Sequence, residues 1–182
     1  MPRAKAKEKT KAKKRADTQV TEILGRNRLI NELVNDGLEV AVPLRDSGID
    51  LIAYAAFQKR PFVGFPIQMK AATKQSFSID RKYSRFKTSL VIVFVWNLGE
   101  PAQSATYALT YDELLKIAKS KIAKKKDYTK TKAWKGKGYY ASNRPSKELV
   151  EMLKQYLMHT GSWRKKIEGM IKDVATTRLR NV

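Results

Sequence analysis

Cysteine is absent from this sequence of 182 residues, and histidine occurs once, at His159. The first absence excludes disulfide bonds and zinc sites built from thiolates. The second argues against hydrolytic sites that use a histidine pair or a histidine general base. A site of carboxylates and a divalent cation is therefore the main hydrolytic route left. We assign His159 no role beyond that of an ordinary helix-end residue.

Long apolar runs are also missing. The longest, residues 90–96 (LVIVFVW), is far shorter than the roughly 20 residues that a membrane-spanning helix needs. The N-terminus is basic but has no apolar segment behind it, which argues against a secretory signal. No membrane partner and a cytoplasmic location are the resulting expectations.

Acidic residues are scarce: 17 Asp and Glu stand against 38 Lys and Arg, which gives a net charge of +21. An excess of this size implies a polyanionic partner, nucleic acid first and an anionic membrane surface second. Residues 1–17 are a Lys/Ala-rich stretch without an apolar stripe. We predict a disordered basic tail there, which contacts phosphates when nucleic acid is bound.

A second basic segment, residues 116–137, is dense in lysine and contains a single acid, Asp127. We predict a loop in which lysines contact phosphates and an aromatic residue stacks on a base; a solvated surface loop is the alternative. The predicted nucleic-acid-binding residues are Lys124, Lys125, Lys126, Lys132, Trp134, Lys135 and Lys137.

The spacing of apolar residues predicts alternating helices and strands. Residues 18–36 fit an amphipathic helix, and residues 38–44 fit a strand. The continuous apolar run at 90–96 is typical of a fully buried central strand. We therefore predict an α/β domain with a mixed central β-sheet flanked by helices. Residues 18–100 would form its core, and residues 101–182 a strand and helix extension of the same domain.

Residues 48–70 predict a β-hairpin. If its loop is residues 59–61, Leu51 lies opposite Met69, and the apolar side chains fall on one face of the two strands. A slip of one residue would turn that face towards solvent. Pro66 cannot donate a hydrogen bond within the second strand, so we expect a bulge or a sheet edge there.

The other face of this hairpin collects polar residues: Asp50, Gln68 and Lys70, with Asp50 opposite Lys70. Mg²⁺ prefers oxygen ligands and keeps several waters. The Asp50 carboxylate, the Gln68 side-chain oxygen and the Met69 carbonyl are the predicted ligands. Lys70 would orient or deprotonate the attacking water and stabilise the pentacovalent state. Glu22 would be a second acid or a proton acceptor, although a first-turn acid also complements the helix dipole.

The order helix, strand, Gly48-Ile49-Asp50, strand, Gln68-Met69-Lys70, helix, buried strand resembles the PD-(D/E)xK, or restriction endonuclease-like, superfamily. The layout is similar to archaeal-type Holliday junction resolvases and to the restriction-fold homing endonuclease encoded in some group I introns. The resemblance covers about residues 18–96. It implies that Asp50, Gln68 and Lys70 are catalytic and that Glu22 is the helix acid. The chain departs from the pattern in lacking a proline directly before Asp50 and in having Gln68 in place of the second acid.

Together these features predict a DNA endonuclease that depends on Mg²⁺ or Mn²⁺ and acts on double-stranded or branched DNA in the nucleoid. A homodimer is a further expectation, because cleavage of a duplex usually needs two active sites. Two alternatives remain open at this stage. One is a nuclease-like protein that binds DNA without cleaving it, and the other is a lysine-rich RNA-binding module.

Overall fold

The computed structural model describes residues 3–45, 47–55, 63–120 and 127–179. The β-strands are β1 (Glu39–Ala41), β2 (Leu51–Ala55), β3 (Val63–Ala71), β4 (Phe77–Asp80), β5 (Val91–Trp96), β6 (Ala105–Thr110) and β7 (Tyr139–Ser142). The α-helices are α1 (Arg3–Asn35), α2 (Tyr111–Lys119), α3 (Lys132–Lys137), α4 (Lys147–Leu153) and α5 (Ser162–Leu179). Short 3-10 helices lie at Arg81–Phe86, Pro101–Gln103, Tyr128–Lys130 and Lys154–Tyr156.

The fold is mixed α/β, as the sequence predicts. Five strands form the central sheet in the order β1-β2-β3-β5-β6, and β4 pairs with β7 in a separate two-stranded ribbon. The β3–β5 pair is parallel, whereas the other pairs of the central sheet are antiparallel. The predicted buried strand is confirmed as β5, which lies between β3 and β6.

Strand β5 is buried along its whole length because helices cover both faces of the sheet. Val91, Val93 and Val95 pack in the core that contains residues of α1 and α5. The alternate side chains of β5 pack on the other face with residues of α2, α4 and the β4–β7 ribbon. Two apolar cores therefore sandwich the sheet, and both halves of the chain contribute to them.

Helix α1 is longer than predicted, and it buries a different face from the one predicted. It begins at Arg3, so the residues that we expected to be a disordered tail continue the helix. Arg, Ala, Lys and Glu favour helix, and neither glycine nor proline interrupts residues 3–24. The buried face of α1 contains Gly25, Leu29 and Leu33, four residues apart. Several apolar residues of the predicted amphipathic helix, which we expected on its buried face, are instead exposed: Val20, Ile23, Leu24 and Val34.

The β2–β3 hairpin is confirmed, but its register differs from the predicted one by two residues. Leu51 pairs with Ile67 rather than with Met69. A shift of two keeps every side chain on its predicted face, because side chains alternate with a period of two. Pairing with β2 is continuous through Pro66, so there is no bulge. Parallel pairing with β5 begins only at Ile67, which leaves Pro66 at an edge, as expected.

Side-chain caps fix the starts of several helices. Thr110 and Glu113 form a capping box at the start of α2, which is the arrangement that the spacing Thr-x-x-Glu predicts. Asp80 caps the short helix Arg81–Phe86 by accepting from the Lys82 N–H at 2.9 Å. Helix α4 starts after the cap Ser146, whose side chain accepts from the Leu149 N–H, and ends at Leu153.

Asp36 joins the end of α1 to the start of α5. Its carboxylate accepts the backbone N–H groups of Gly161 at 2.6 Å and Trp163 at 2.8 Å. His159 lies just before α5, where its backbone N–H donates to Ser162 Oγ at 2.8 Å. These contacts hold the C-terminal helix against the same sheet face as α1. Within the described residues, no helix has both the length and the apolar character required to cross a membrane.

Candidate active site

A groove of about 650 Å³ brings together the polar residues singled out in the sequence. Asp50, Gln68, Met69 and Lys70 line it from the β2–β3 hairpin, and Glu22 lines it from α1. A second wall comes from the β4–β7 ribbon and the residues beside it: Ser76, Phe77, Ser78, Tyr139, Ala141 and Asn143. The four predicted catalytic residues therefore share one cavity.

Asp50 and Gln68 are in direct contact. Gln68 Nε2 donates to Asp50 Oδ2 at 2.5 Å, and the Met69 backbone N–H donates to the same oxygen at 2.6 Å. The Gln68 side chain is buried and Asp50 is half-buried. Extending the hairpin register by one residue places Asp50 across from Gln68, whereas the sequence-based register placed it across from Lys70. Two donors thus fix the position of the carboxylate.

Tyr83 supports this pair from the short helix Arg81–Phe86. Its hydroxyl donates to Gln68 Oε1 at 2.6 Å, and Lys70 Nζ lies over its ring, 5.8 Å from the centroid. Burial raises the pKa of Tyr83 above its ordinary value of 10.0, so the hydroxyl keeps its proton at neutral pH. Sequence reasoning missed Tyr83, because no spacing links it to the hairpin.

The turn before Asp50 requires a glycine. Gly48 has φ of 84°, in the region that residues with a side chain rarely adopt. A Cβ built on Gly48 would lie 3.6 Å from the Tyr83 ring and 3.7 Å from Gln68 Oε1. Space alone would permit a side chain there, so the backbone conformation is what selects glycine. The turn places Asp50 directly before the first residue of β2.

Glu22 reaches the groove because α1 lies very close to β3. A Cβ built on Gly25 would be 2.6 Å from the Ala71 Cβ, a distance that real side chains do not tolerate. The glycine therefore permits the close approach of helix and strand. Glu22 is 53% exposed and forms an ion pair with Arg26 at 2.7 Å. Glu22 lines the groove from the helix side.

Two of the three oxygens that we predicted as cation ligands, those of Asp50 and the Met69 carbonyl, meet at the Gln68 amide nitrogen, whereas the Gln68 oxygen accepts from Tyr83. Gln68 Nε2 donates to Asp50 Oδ2 and, at 3.1 Å, to the Met69 carbonyl. Reversing the Gln68 amide would turn Oε1 towards those two oxygens and Nε2 towards Tyr83, whose hydroxyl also accepts. One carboxylate and two neutral oxygens suit Mg²⁺, which retains several waters. Across the described parts of the chain, no three acids or histidines cluster as a metal-binding group.

Most of the described part of the lysine-rich segment is helical, where we predicted a loop. Its described part contains the end of α2, the helix at Tyr128–Lys130 and α3. Trp134 is only 8% exposed and packs under Arg81, whose guanidinium lies 5.3 Å from the ring centroid. A buried ring cannot stack on a base, so the prediction for Trp134 is wrong. The α3 lysines at 132, 135 and 137 are exposed. The predicted contacts at Lys124, Lys125 and Lys126 lie outside the described residues.

Comparison of this chain with protein-family models, with curated proteins and with solved structures found no match. The resemblance to the PD-(D/E)xK superfamily therefore remains a prediction from the residues Asp50, Gln68 and Lys70.

Proposed function

We propose that this protein is an endonuclease that uses Mg²⁺ or Mn²⁺ to hydrolyse phosphodiester bonds of DNA in the groove between the hairpin and the β4–β7 ribbon. The observation that carries the proposal is the Asp50–Gln68 contact, which shares this groove with Lys70. The net charge of +21 supports a polyanionic substrate.

Each groove residue has a role in this proposal. Asp50, the Met69 carbonyl and the reversed amide of Gln68 would hold the cation. When bound, the cation supplies charge compensation and a more acidic water. Lys70, as an ammonium, donates to the attacking water or to a phosphoryl oxygen. Glu22 is the carboxylate in the groove that accepts the proton released by that water.

The exposed lysines of α3 would hold the substrate. Lys132, Lys135 and Lys137 are solvent-exposed on one short helix that leads directly into β7. Lysine contacts with phosphates position a nucleic acid without reading its sequence. In this arrangement the lysines supply affinity, and the hairpin supplies the chemistry.

Nicking of supercoiled plasmid tests the proposal. In Mg²⁺ or Mn²⁺ the wild-type protein should convert supercoiled DNA to nicked circles, and EDTA should stop the conversion. Lys70→Ala should lower the rate by about 100-fold or more, the size expected when a donor that stabilises charge developing in the transition state is removed. The readout is the initial rate on agarose gels at saturating protein.

Lys82→Ala is the matched control for this test. Lys82 Nζ also lies over the Tyr83 ring, 4.8 Å from the centroid, but Lys82 does not line the groove. Its loss should leave nicking within about twofold of wild type, because surface charge changes of this kind have small effects. Nicking that survives Lys70→Ala would contradict the assigned site.

A binding protein without catalysis is the second candidate. One observation favours it: Asp50 Oδ2 already accepts two hydrogen bonds from the chain itself, which hold the carboxylate in place without a cation. This candidate predicts metal-independent DNA binding and no nicking in either metal. Stronger binding to structured RNA than to DNA would instead support an RNA-binding module.

A further inference from the structure

One aromatic side chain in the groove is open to solvent. Among the aromatic residues whose side chains the structure describes, Tyr139 alone is exposed, with 42% of its surface accessible. Tyr139 lines the same groove as Asp50 and Lys70. An exposed aromatic side chain beside a polar site is a surface on which a flat ligand can stack.

The β4–β7 ribbon presents Tyr139 among smaller side chains. Tyr139 pairs with Asp80, and Ala141 pairs with Ser78. These four residues share the ribbon face opposite to Phe77, whose buried side chain packs in the core. Because Ser78 and Ala141 are small, Tyr139 is the largest side chain on the groove face of the ribbon.

The backbone that carries Tyr139 is held firmly. Gly138 ends α3 with φ of 67°, and its carbonyl accepts the Arg81 backbone N–H at 2.7 Å. The Arg81 guanidinium donates to the Trp134 carbonyl at 3.1 Å. A stacking residue on a fixed support loses little conformational freedom when its ligand binds. The buried Trp134 therefore serves to position the ribbon.

Positive charge lies next to Tyr139 along the chain. Lys135 and Lys137 are exposed and precede it by four and two residues. Aromatic rings beside lysines are the combination that proteins use to bind unpaired nucleic acid strands: the lysines contact the phosphates while the ring stacks on a base.

We propose that Tyr139 stacks on an unpaired DNA base next to the scissile phosphate, so that the substrate class is DNA with unpaired bases, such as a gap, a flap or a branch point. In an intact duplex both faces of a base are covered by its neighbours, and the Tyr139 ring has no base face to meet. This inference rests on the proposed endonuclease function, because the stacked base belongs to the DNA that the groove would cleave.

Binding without cleavage tests the inference separately from catalysis. Fluorescence anisotropy in EDTA would compare a fully paired duplex with the same duplex carrying a three-nucleotide gap. Wild-type protein should bind the gapped DNA more tightly. Tyr139→Ala should weaken binding to gapped DNA about tenfold, the order expected for one lost base–aromatic stack, and leave duplex binding unchanged. Tyr139→Phe should retain the preference, whereas Tyr139→Leu, which keeps apolar bulk without a π face, should lose it.

Lys137→Ala is the control for non-specific contact, since it should weaken binding to both DNAs equally. Equal affinity of the wild-type protein for gapped and paired DNA would overturn the inference, as would a preference that survives in Tyr139→Ala. A Tyr139-dependent preference in a protein that cuts neither plasmid nor gapped DNA in Mg²⁺ or Mn²⁺ would leave the stacking site standing and refute the endonuclease.

Discussion

At the scale of single residues, Tyr83 connects the polar side chains of the groove. Its hydroxyl bonds to Gln68, and its ring lies against Lys70. Gln68 in turn contacts Asp50. A phenol that both donates and accepts can support either orientation of the Gln68 amide. Tyr83 is therefore a positioning residue, which acts on the site through Gln68.

Tyr83→Phe tests this role. The change keeps the ring but leaves the buried Gln68 Oε1 without the hydroxyl, so the free energy of unfolding should fall by about 1–2 kcal/mol. The Mg²⁺ concentration for half-maximal nicking should rise several-fold, because the amide loses the partner that orients it. Denaturant unfolding and metal titration of nicking measure the two effects.

Tyr156→Phe provides the comparison for Tyr83→Phe. Tyr156 is half-buried and, like Tyr83, has a pKa raised by burial, but its ring lies against Lys166 rather than against Lys70. Its replacement should leave the metal requirement of nicking unchanged. An unchanged metal requirement in Tyr83→Phe as well would refute the positioning role.

The residues of the site were only partly predictable from sequence. Asp50 and Gln68 were predictable because alternation along two short strands fixes which side chains share a face. Tyr83, which contacts Gln68, and Tyr139, which lines the groove, were not predictable, because tertiary packing brings them there. Trp134 was misjudged because a tryptophan among lysines has the same local pattern whether its ring is buried or exposed.

At the scale of elements, the contact between α1 and β3 sets where the first helix enters the groove. The helix lies close to the strand at Gly25 and Ala71. Farther along α1, Leu29 and Leu33 are buried in the core beneath the sheet. This contact carries Glu22 to the groove, although the helix and the hairpin are separate in sequence.

Two glycine substitutions with opposite expected signs test this packing. Gly25→Ala would place a Cβ 2.6 Å from the Ala71 Cβ. The resulting overpacking should lower the free energy of unfolding by about 1–3 kcal/mol, less any gain in helix propensity. Thermal or denaturant unfolding would measure the loss.

Gly169→Ala is the matched change in an open part of a helix. Gly169 lies in α5, and a Cβ there would meet nothing within 4 Å. Alanine should therefore raise the free energy of unfolding by about 0.5–1 kcal/mol through helix propensity. Stabilisation by both substitutions would contradict the close approach of α1 to β3.

Element types were more predictable than their exact pairing. The alternation of apolar residues predicted β2 and β3, but it is unchanged by a shift of two residues, so it could not choose between the predicted and observed registers. The loop that decides the register was predicted at residues 59–61, which lie outside the described residues. The start of α1 was misplaced because a basic stretch of good helix formers carries no apolar signal for a helix.

At the scale of the whole molecule, burial of tyrosines in one of the two cores predicts how stability depends on alkaline pH. Burial raises the pKa of five tyrosines above the ordinary value of 10.0: Tyr83, Tyr107, Tyr111, Tyr140 and Tyr156. Above pH 10 the unfolded chain holds fewer protons at these hydroxyls than the folded protein does. The free energy of unfolding should then fall as pH rises, and the tyrosines should contribute no such slope below about pH 9.

Two signals recorded together would check this expectation. Tyrosinate absorbance and circular dichroism, followed from pH 8 to 12, should show part of the tyrosines ionising together with loss of helix. Smooth ionisation of all tyrosines near pH 10, with circular dichroism unchanged, would show that the hydroxyls are accessible in the folded protein.

The pairing of β4 with β7 bears on when the groove becomes complete during protein synthesis. The hairpin with Asp50, Gln68 and Lys70 leaves the ribosome early, but the strand that carries Tyr139 follows about seventy residues later. A nascent or truncated chain that stops before β7 has the polar residues but only one side of the cavity. The gene product would thus acquire its complete groove only after β7 has been made.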